Sequence, residues 1–346
     1  MRRLLLLAGL ILFFTIPVSA TEFTAPKVPE HVEDLLPKEP RSFMEGLDHL
    51  LREMVSLIEP SLTEAASVCL SLIAVVLLLC LLQSIHSHVK RSVSVAGSVA
   101  IGILLLDASN SMIHLGVETV RELSAYGKLL VPVMTAAMAA QGSAGTSAAL
   151  YTGTVFFDAI AGNVIEKIIV PMIFIYLALS VAASAIGEDL LKKIQSFVKW
   201  VMTWSLKTLL YVFTGYMGIT GVVTGSADAA AVKAAKLTIS GVVPVVGGIL
   251  SDASEAVLIS AGIMKNAAGV YGILALLALT AEPFIKIGVQ YLMLKLTGAV
   301  CAVFGNKEQI HLISDFSASM GLLLAMTGTE SLLLLISTVC FMRGAG

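Results

Sequence analysis

The chain has 346 residues, of which 57% are apolar and 13% charged, and its mean hydropathy is +0.92. An ordinary soluble domain carries about 25% charged residues, so this chain has too few polar side chains to cover a soluble fold of its size. The formal charge of −2 provides no basic excess for nucleic acid. The composition therefore excludes a soluble enzyme, a nucleic-acid binder and a disordered scaffold, and it predicts a membrane protein.

Residues 1–20 have the pattern of a secretory signal peptide. Arg2 and Arg3 precede the apolar run Leu4–Phe14, and Val18–Ala20 supplies the small residues of a cleavage site. The run is shorter than the roughly 20 residues that a spanning helix needs. Cleavage after Ala20 would leave the mature amino terminus outside the cytoplasm, whereas an uncleaved anchor is the alternative.

Residues 21–60 form a polar lead-in that we expect outside the cytoplasm. Four prolines within residues 21–41 predict an extended chain. Ser42, with Glu45 three residues later, has the spacing of a capping box, and the helix that it opens should end at Pro60. One face of this helix is apolar, and it could lie on the bilayer, pack on the bundle or dock on a partner: Phe43, Leu47, Leu50, Leu51, Met54 and Ile58.

Residues 61–346 are predicted to be a multispanning membrane domain. Leu129–Phe157 carries no charge in 29 residues, but the Gly-rich break at Gln141–Thr146 predicts two short arms that either cross or re-enter. The last pair of short spans resembles a hairpin that turns at Glu282-Pro283. We expect an all-α polytopic protein with seven spans, or nine if both arms cross: Ala65–Ile85, Ser92–His114, Ile168–Gly187, Trp200–Gly221, Ala267–Ala281, Phe284–Phe304 and His311–Met342.

Basic residues in two loops predict the orientation of the spans. The loop His86–Arg91 carries two basic residues and Glu188–Lys199 carries three lysines, so both belong inside by the positive-inside rule. With a secreted amino terminus, an odd number of spans then places the carboxyl terminus in the cytoplasm. Cysteines introduced near Glu45 should react with an impermeant maleimide from outside, and those near Lys192 or Ala345 only after permeabilisation.

The sequence contains no motif that indicates catalysis or cofactor binding. There is no Walker loop, no G-x-G-x-x-G, no H-E-x-x-H and no nucleophile elbow. His86 and His88 would point to different faces of a helix, and the four cysteines lie singly in apolar runs, so we predict neither a metal site nor a disulfide. Asp107, Asp158 and Asp315 lack the G-x-G-D tract of an intramembrane protease. We expect neither enzymatic activity nor a cofactor.

A few ionisable residues lie inside the predicted spans, where each costs about 2.5–3.5 kcal/mol on insertion scales. Lys207 can extend toward the inner loop, whereas Glu330 must face protein or water and is the best single candidate for a polar pathway. Glu282 and Lys286 have the spacing of a helical ion pair. Glu282 could cap a helix whose first turn admits Pro283, or the pair could line a polar path at the hairpin bend.

Stripes of small residues predict close helix contacts in lipid. Such contacts do not distinguish a transporter from a scaffold. One stripe contains Gly97 and Gly102, and the other contains Gly215, Gly218, Gly221 and Gly225.

Residues 222–265 are too polar to span the membrane stably. They predict two amphipathic helices, split by a Gly/Pro turn, in an outside or re-entrant segment. A lid packed on its own bundle is one alternative, and a partner-docking or pore-gating element is the other. The residues that would serve docking or gating are Lys233, Lys236, Pro244, Asp252, Glu255 and Lys265.

Three tracts carry a resemblance to a known family. They read A-K-x-x-x-x-G-x-x-P-V-x-G at Ala235–Gly247, K-N-x-x-G at Lys265–Gly269 and I-V-P-M-I-F at Ile169–Phe174. With the secretory signal and the polar lead-in, the chain resembles the stage III sporulation protein AE family of endospore-forming bacteria. The resemblance covers the chain from about Leu129 to the carboxyl end.

The resemblance implies a multispanning protein made in the mother cell, in the membrane around the engulfed forespore. It implies a place in a channel or secretion-like complex that links the two cells. The implied partners are the other stage III sporulation A membrane proteins and their secretion-type ATPase, and a homo-oligomer is a further expectation. An independent secondary transporter or permease for a small solute is the alternative, although the two predicted breaks do not lie in repeated surroundings.

Overall fold

The computed structural model describes residues 26–33, 35–36, 43–85, 90–242 and 247–343, with the backbone alone at residues 85, 90–91, 221–242, 247–261 and 264. The predicted signal peptide at residues 1–20, the cap at Ser42 and the turn residue Pro244 lie outside the described residues. The same holds for the side chains of the predicted docking or gating residues Lys233, Lys236, Asp252 and Glu255.

The described parts of the chain contain helices and no strands. A short π-helical segment, Ile165–Ile169, joins two of the α-helices without a break. The α-helices are α1 (Glu30–Glu33), α2 (Phe43–Ser56), α3 (Ile58–Ile85), α4 (Lys90–Ala140), α5 (Ala144–Val164), α6 (Val170–Ile186), α7 (Asp189–Val242), α8 (Gly247–Cys301) and α9 (Lys307–Arg343).

Helix α2 occupies the residues in which the sequence predicts an amphipathic helix. Its buried face packs on α8, where Leu50 belongs to the core and Gly46 lies against Leu274. The helix ends at Ser56, four residues before the predicted end at Pro60. Pro60 lies in the first turn of α3, where its missing N–H needs no partner. Of the three alternatives for this apolar face, the structure shows packing on the bundle.

Three helices are much longer than a membrane crossing. Helices α4, α7 and α8 have 51, 54 and 55 residues. At a rise of about 1.5 Å per residue, α4 is about 76 Å long, whereas the hydrocarbon core of a bilayer is about 30 Å thick. Each of these helices therefore continues well beyond any single crossing that it makes.

The Gly-rich break between residues 141 and 146 is a tight turn. Helix α4 ends at Ala140 and α5 begins at Ala144. Gly142 has a φ of 91°, a conformation that favours glycine. The two arms that the sequence predicts as short are the ends of two long helices.

The predicted hairpin at residues 267–304 is wrong. Helix α8 continues through Pro283, so the two predicted short spans form one helix. Proline is tolerated within helices that neighbouring helices hold in place, and here Ala281 and Ile287 on either side of it are buried in the bundle. Glu282 consequently does not begin a helix, and it cannot act as the predicted cap.

Contacts between helix ends define the two ends of the bundle. Asn306 donates a hydrogen bond from Nδ2 to Gln83 Oε1 at 2.7 Å, and Ser184 Oγ donates to the Glu308 carbonyl at 2.9 Å. The junctions α3–α4, α6–α7 and α8–α9 therefore lie together, at what we call the basic end. At the opposite end, the far end, Gln141 of the α4–α5 turn lies against Gly262 of α8, and Met342 near the end of α9 lies against Gly269 of α8.

The core is divided along the length of the bundle into two clusters of buried side chains. The cluster nearer the basic end includes Leu105 and Leu312, and the cluster nearer the far end includes Leu130 and Leu274. Helices α4, α8 and α9 contribute to both clusters. Helix α7 also reaches both clusters, with Phe213 in one and Met202 in the other, so the long helices connect the two parts of the core.

The first stripe of small residues makes the close contacts that it predicts. Gly97 lies against Leu79 of α3, and Gly102 lies against Val181 of α6. Gly215 and Gly218 of the second stripe have no described atom within 4 Å of an added Cβ, and the side-chain environments of Gly221 and Gly225 lie outside the described residues. The described part of the second stripe therefore makes no close contact within the chain.

Five of the described helical stretches are long and apolar enough to cross a membrane. The prediction of an all-α membrane protein is therefore supported. The structure does not give the predicted count of seven spans, because the two spans predicted within residues 267–304 belong to one helix. Helix α7, which contains the predicted span Trp200–Gly221, does not meet the same criterion over its described residues. The five stretches are Phe43–Ser84, Ser92–Ala140, Ala144–Ile186, Lys265–Cys301 and Lys307–Arg343.

Candidate functional site

A polar cavity of about 530 Å³ lies where α4, α5 and α9 meet. Its lining from α4 and α5 repeats at three- and four-residue steps, which place side chains on one face of a helix. Helix α9 contributes Leu334. The polar lining residues are Arg121, Ser124, Lys128, Tyr151, Thr154, Asp158, Asn163 and Glu166.

An ion pair lies on the exposed side of this cavity. Arg121 Nε donates to Glu166 Oε1 at 2.7 Å, and the two side chains are 66% and 37% exposed. Water screens a pair of this kind, so it contributes little to stability. The pair therefore marks where the cavity opens to solvent.

The inner side of the cavity contains a buried carboxyl group, that of Asp158. Ser124 Oγ donates to Asp158 Oδ2 at 2.9 Å, while Oδ1 has no hydrogen-bond partner among the described residues. Directly behind it lies Glu330 of α9, whose side chain is fully buried. Asp158 is the ionisable group that acts most strongly on Glu330, followed by Lys128 of α4. Two carboxyl groups thus lie close together inside the bundle, while the Lys128 side chain is exposed.

No hydrogen bond of ordinary geometry satisfies the Glu330 carboxylate. Both of its oxygens lack a partner among the described residues, even though Asp158 is close enough to act on it as a hydrogen-bonding neighbour. Farther along the same two helices, the hydroxyls of Thr154 and Ser337 share a hydrogen bond. Of these two polar sites between α5 and α9, the hydroxyl pair is satisfied and the carboxylate of Glu330 is not.

A second, acidic cavity of about 280 Å³ lies between the lead-in, α4 and α8. It contains His31, Glu118, Glu122 and Glu282, and His31 Nε2 lies 3.5 Å from Glu122 Oε2. Glu282 is therefore beside the lead-in, about 28 Å along the helix axis from the end of α8 at the basic end. This position, within a continuous helix, contradicts its expected place at a hairpin turn.

The predicted ion pair within α8 is present. Lys286 Nζ lies 2.6 Å from Glu282 Oε1, and the two side chains are 35% and 30% exposed. The pair lies inside a continuous helix and not at a bend, so it stabilises the local helix surface. Its acid also lines the acidic cavity beside the lead-in.

Substituting this pair should have a small effect. Glu282→Gln removes one partly screened, four-residue-spaced pair, so we expect the free energy of unfolding to fall by about 0.3–0.5 kcal/mol. The reversed pair, Glu282→Lys with Lys286→Glu, should accumulate like the unmodified protein, because residue 282 is not at a helix start. Immunoblots of membrane fractions measure both. Selective loss of the reversed pair would contradict a mid-helix role.

The remaining predicted site residues do not join either cavity. Lys207 is exposed on the outer side of α7, and Lys265 is buried near the far end of the bundle. Of the candidates for a polar pathway, only Glu330 adjoins the cavity between α4, α5 and α9. Glu330 lies beside Asp158, whereas the Glu282–Lys286 pair, which was predicted as a candidate for the same pathway, adjoins the acidic cavity.

Sequence reasoning did not identify Asp158 and Lys128, the two residues that act on Glu330, as site residues. Asp158 was considered only as a protease aspartate, and Lys128 was not considered. A usable signal was present, since Lys128 and Asp158 directly flank the 29-residue run without charge. Charged residues at the borders of such a run are good candidates to meet an isolated acid, such as Glu330, on another helix.

The sequence as a whole matches one family model. The model for stage III sporulation protein AE covers residues 38–346. The chain belongs to the stage III sporulation protein AE family. Its match extends well before Leu129, where the resemblance noted above began, and includes α2 and the first long helices.

A curated relative agrees with this stage III sporulation protein AE assignment. Stage III sporulation protein AE of Bacillus subtilis (strain 168) is 24% identical over 272 residues, which cover 77% of this chain and 68% of the relative. No solved structure matches the chain. Membership of the family supports a role in sporulation, and the long apolar helices place that role in a membrane.

Proposed function

We propose that this protein is a membrane component of a channel or secretion-like complex between the mother cell and the forespore. The family match over residues 38–346 is the observation that carries the proposal. The helical bundle supports it, since five stretches are suited to cross a membrane and a polar cavity lies among three of the helices. In this proposal the protein acts as a non-enzymatic core of the complex, in the mother-cell membrane around the forespore.

The other stage III sporulation A membrane proteins and their secretion-type ATPase are the proposed partners. Helix α7 supports an interaction on its outer side, where Phe197, Trp200 and Trp204 form a stacked, exposed row. Tyr211 continues this row farther along the helix and is 70% exposed. Aromatic side chains of this kind suit either a lipid interface or a neighbouring helix.

The continuous helix α8 changes the inferred orientation of the carboxyl terminus. Lys192, Lys193 and Lys307 lie at or beside the junctions of the basic end, together with Lys90 and Arg91, and the positive-inside rule places this end in the cytoplasm. Helix α9 starts at the basic end and runs to the far end. We therefore propose that the carboxyl terminus lies outside, on the same side as the lead-in.

Cysteine accessibility tests this orientation. A single cysteine at Ala345 and one at Glu45 should both react with an impermeant maleimide in intact cells, because Glu45 and the end of α9 at Arg343 both lie toward the far end. A cysteine at Lys192 should react only after permeabilisation and serves as the matched control. Protection of Ala345 in intact cells would restore a cytoplasmic carboxyl terminus.

A gene deletion tests the function. We expect normal vegetative growth and a block in spore formation after engulfment, because the proposed complex acts between two cells that exist only then. Microscopy of engulfment and counts of heat-resistant spores measure the result. A defect in vegetative solute uptake with normal sporulation would contradict the proposal and point to an independent transporter.

A further inference from the structure

The carboxyl group of Glu330 is in an environment that a bare charge does not tolerate. Its side chain is 0% exposed, and neither oxygen has a hydrogen-bond partner among the described residues. Burying an ionised carboxylate without partners costs several kcal/mol even after the protein relaxes. Something that the protein side chains do not supply must therefore compensate this group.

The ionisable groups that act on Glu330 come from two neighbouring helices, α5 and α4. Helix α5 contributes Asp158, the strongest ionisable neighbour, and α4 contributes Lys128, which acts more weakly. Arg121 of α4 is paired with Glu166 of the π-helical segment at the solvent side of the cavity. The closest charged group is therefore a second acid, and two ionised carboxylates side by side repel each other strongly.

We propose that Asp158 and Glu330 together form a proton-binding site in the core of the bundle, filled from the cavity between α4, α5 and α9. A hydronium ion in the cavity transfers one proton to a carboxylate oxygen of the pair and leaves a water molecule behind. The new O–H group then donates to the other carboxylate, which supplies the missing hydrogen bond. The existence of the site is independent of the proposed function, whereas any part that it has in driving export rests on that function.

The placement of the two acids provides a route for the proton. Asp158 lines the cavity and lies between it and Glu330, and its free oxygen Oδ1 has no partner among the described residues. Ser124 occupies the other oxygen of Asp158 as a donor. Oδ1 is thus available to receive a proton from cavity water and to share it with Glu330.

A metal cation fits these residues less well than a proton does. Multivalent cations are held by several carboxylates, carbonyls and waters, and no group of three His, Cys, Asp or Glu side chains in the described parts of the chain is arranged to hold one. Lys128 also adds a positive charge to the same site. A single shared proton removes the repulsion between the two acids and, unlike a metal cation, needs no further ligands.

Carbodiimide labelling of the purified, membrane-reconstituted full-length protein tests the site. Dicyclohexylcarbodiimide modifies protonated carboxyl groups in apolar surroundings, and mass spectrometry of peptides locates the adduct. We expect labelling at Glu330 or Asp158 that falls as the pH is raised, by about tenfold per pH unit once the proton is lost. Glu330→Gln should abolish the adduct at residue 330 while the protein keeps its helical circular-dichroism spectrum and elution volume.

Asp315→Asn is the matched control. Asp315 lies on the same helix, but its carboxylate accepts a hydrogen bond from Tyr176 Oη at 3.3 Å and is not part of the pair. This variant should leave labelling of Glu330 and Asp158 unchanged. Absence of any adduct on either acid across the accessible pH range, or labelling independent of pH, would overturn the proposal. Protection by sodium ions at constant pH would also overturn it, in favour of a monovalent metal cation.

Discussion

Glu330→Leu should yield a folded protein that no longer supports spore formation. Replacing a buried, unsatisfied carboxyl group with an apolar side chain of similar size should leave the free energy of unfolding unchanged or raise it by about 1 kcal/mol. The polar contact with Asp158 is lost, however, so sporulation should fail if the pair serves the function. Thermal unfolding of the purified protein and counts of heat-resistant spores separate the two effects.

Glu330→Asp is the matched variant for this experiment. It keeps the carboxyl group but draws it back from Asp158 by one methylene, so we expect partial spore formation. If Glu330→Leu supports normal numbers of spores, the buried acid has no functional role. If Glu330→Leu fails to accumulate at all, the acid is required for folding and the expected separation is contradicted.

Gly153→Leu should cause the largest loss of stability. The Cβ of any larger residue at position 153 would overlap the ring of Tyr216, which is held in place by its hydrogen bond to the Ala149 carbonyl at 3.0 Å. Overpacking costs about 1–3 kcal/mol and a lost hydrogen bond about 1 kcal/mol. We expect a severalfold fall in abundance, measured by immunoblot, together with a lower unfolding temperature.

Gly215→Leu is the control on the neighbouring helix. Gly215 lies next to Tyr216 in sequence, but no described atom lies within 4 Å of an added Cβ, so its stability should change by no more than about 0.5 kcal/mol. Equal losses in the two variants would contradict the assigned packing. A stable Gly215→Leu protein that fails to assemble would locate a contact with another chain on α7.

Local patterns in the sequence predicted the features that residues close together in the chain specify. The apolar stripe from Phe43 to Met54 predicted α2, and the Gly-rich break predicted the turn in which Gly142 adopts a positive φ. The stripe at Gly97 and Gly102 predicted close helix packing for the same reason, since the spacing of small residues is visible in one segment. Each of these features is specified by residues within a few turns of one another.

The features that were predicted wrongly depend on contacts between distant segments. Pro283 normally indicates a helix boundary, but burial of Ala281 and Ile287 on either side holds α8 continuous. Asp158 and Glu330 are 172 positions apart in the sequence. No periodicity within either helix therefore predicts that the two carboxyl groups interact. The predicted cytoplasmic carboxyl terminus depended on the hairpin, which is why the orientation that we propose differs from it.

The length of α4 determines how far the protein reaches from the membrane. If the basic end lies at the cytoplasmic surface, about 30 Å of this helix suffices to cross the hydrocarbon core, and the remainder, about 45 Å, carries the turn at Gly142 outward. Helices α8 and α9 accompany it, so the projection is a packed column and not a flexible tether. Such a column fixes the separation at which a protein on an opposing surface can touch this one, and a wider gap would prevent the contact altogether.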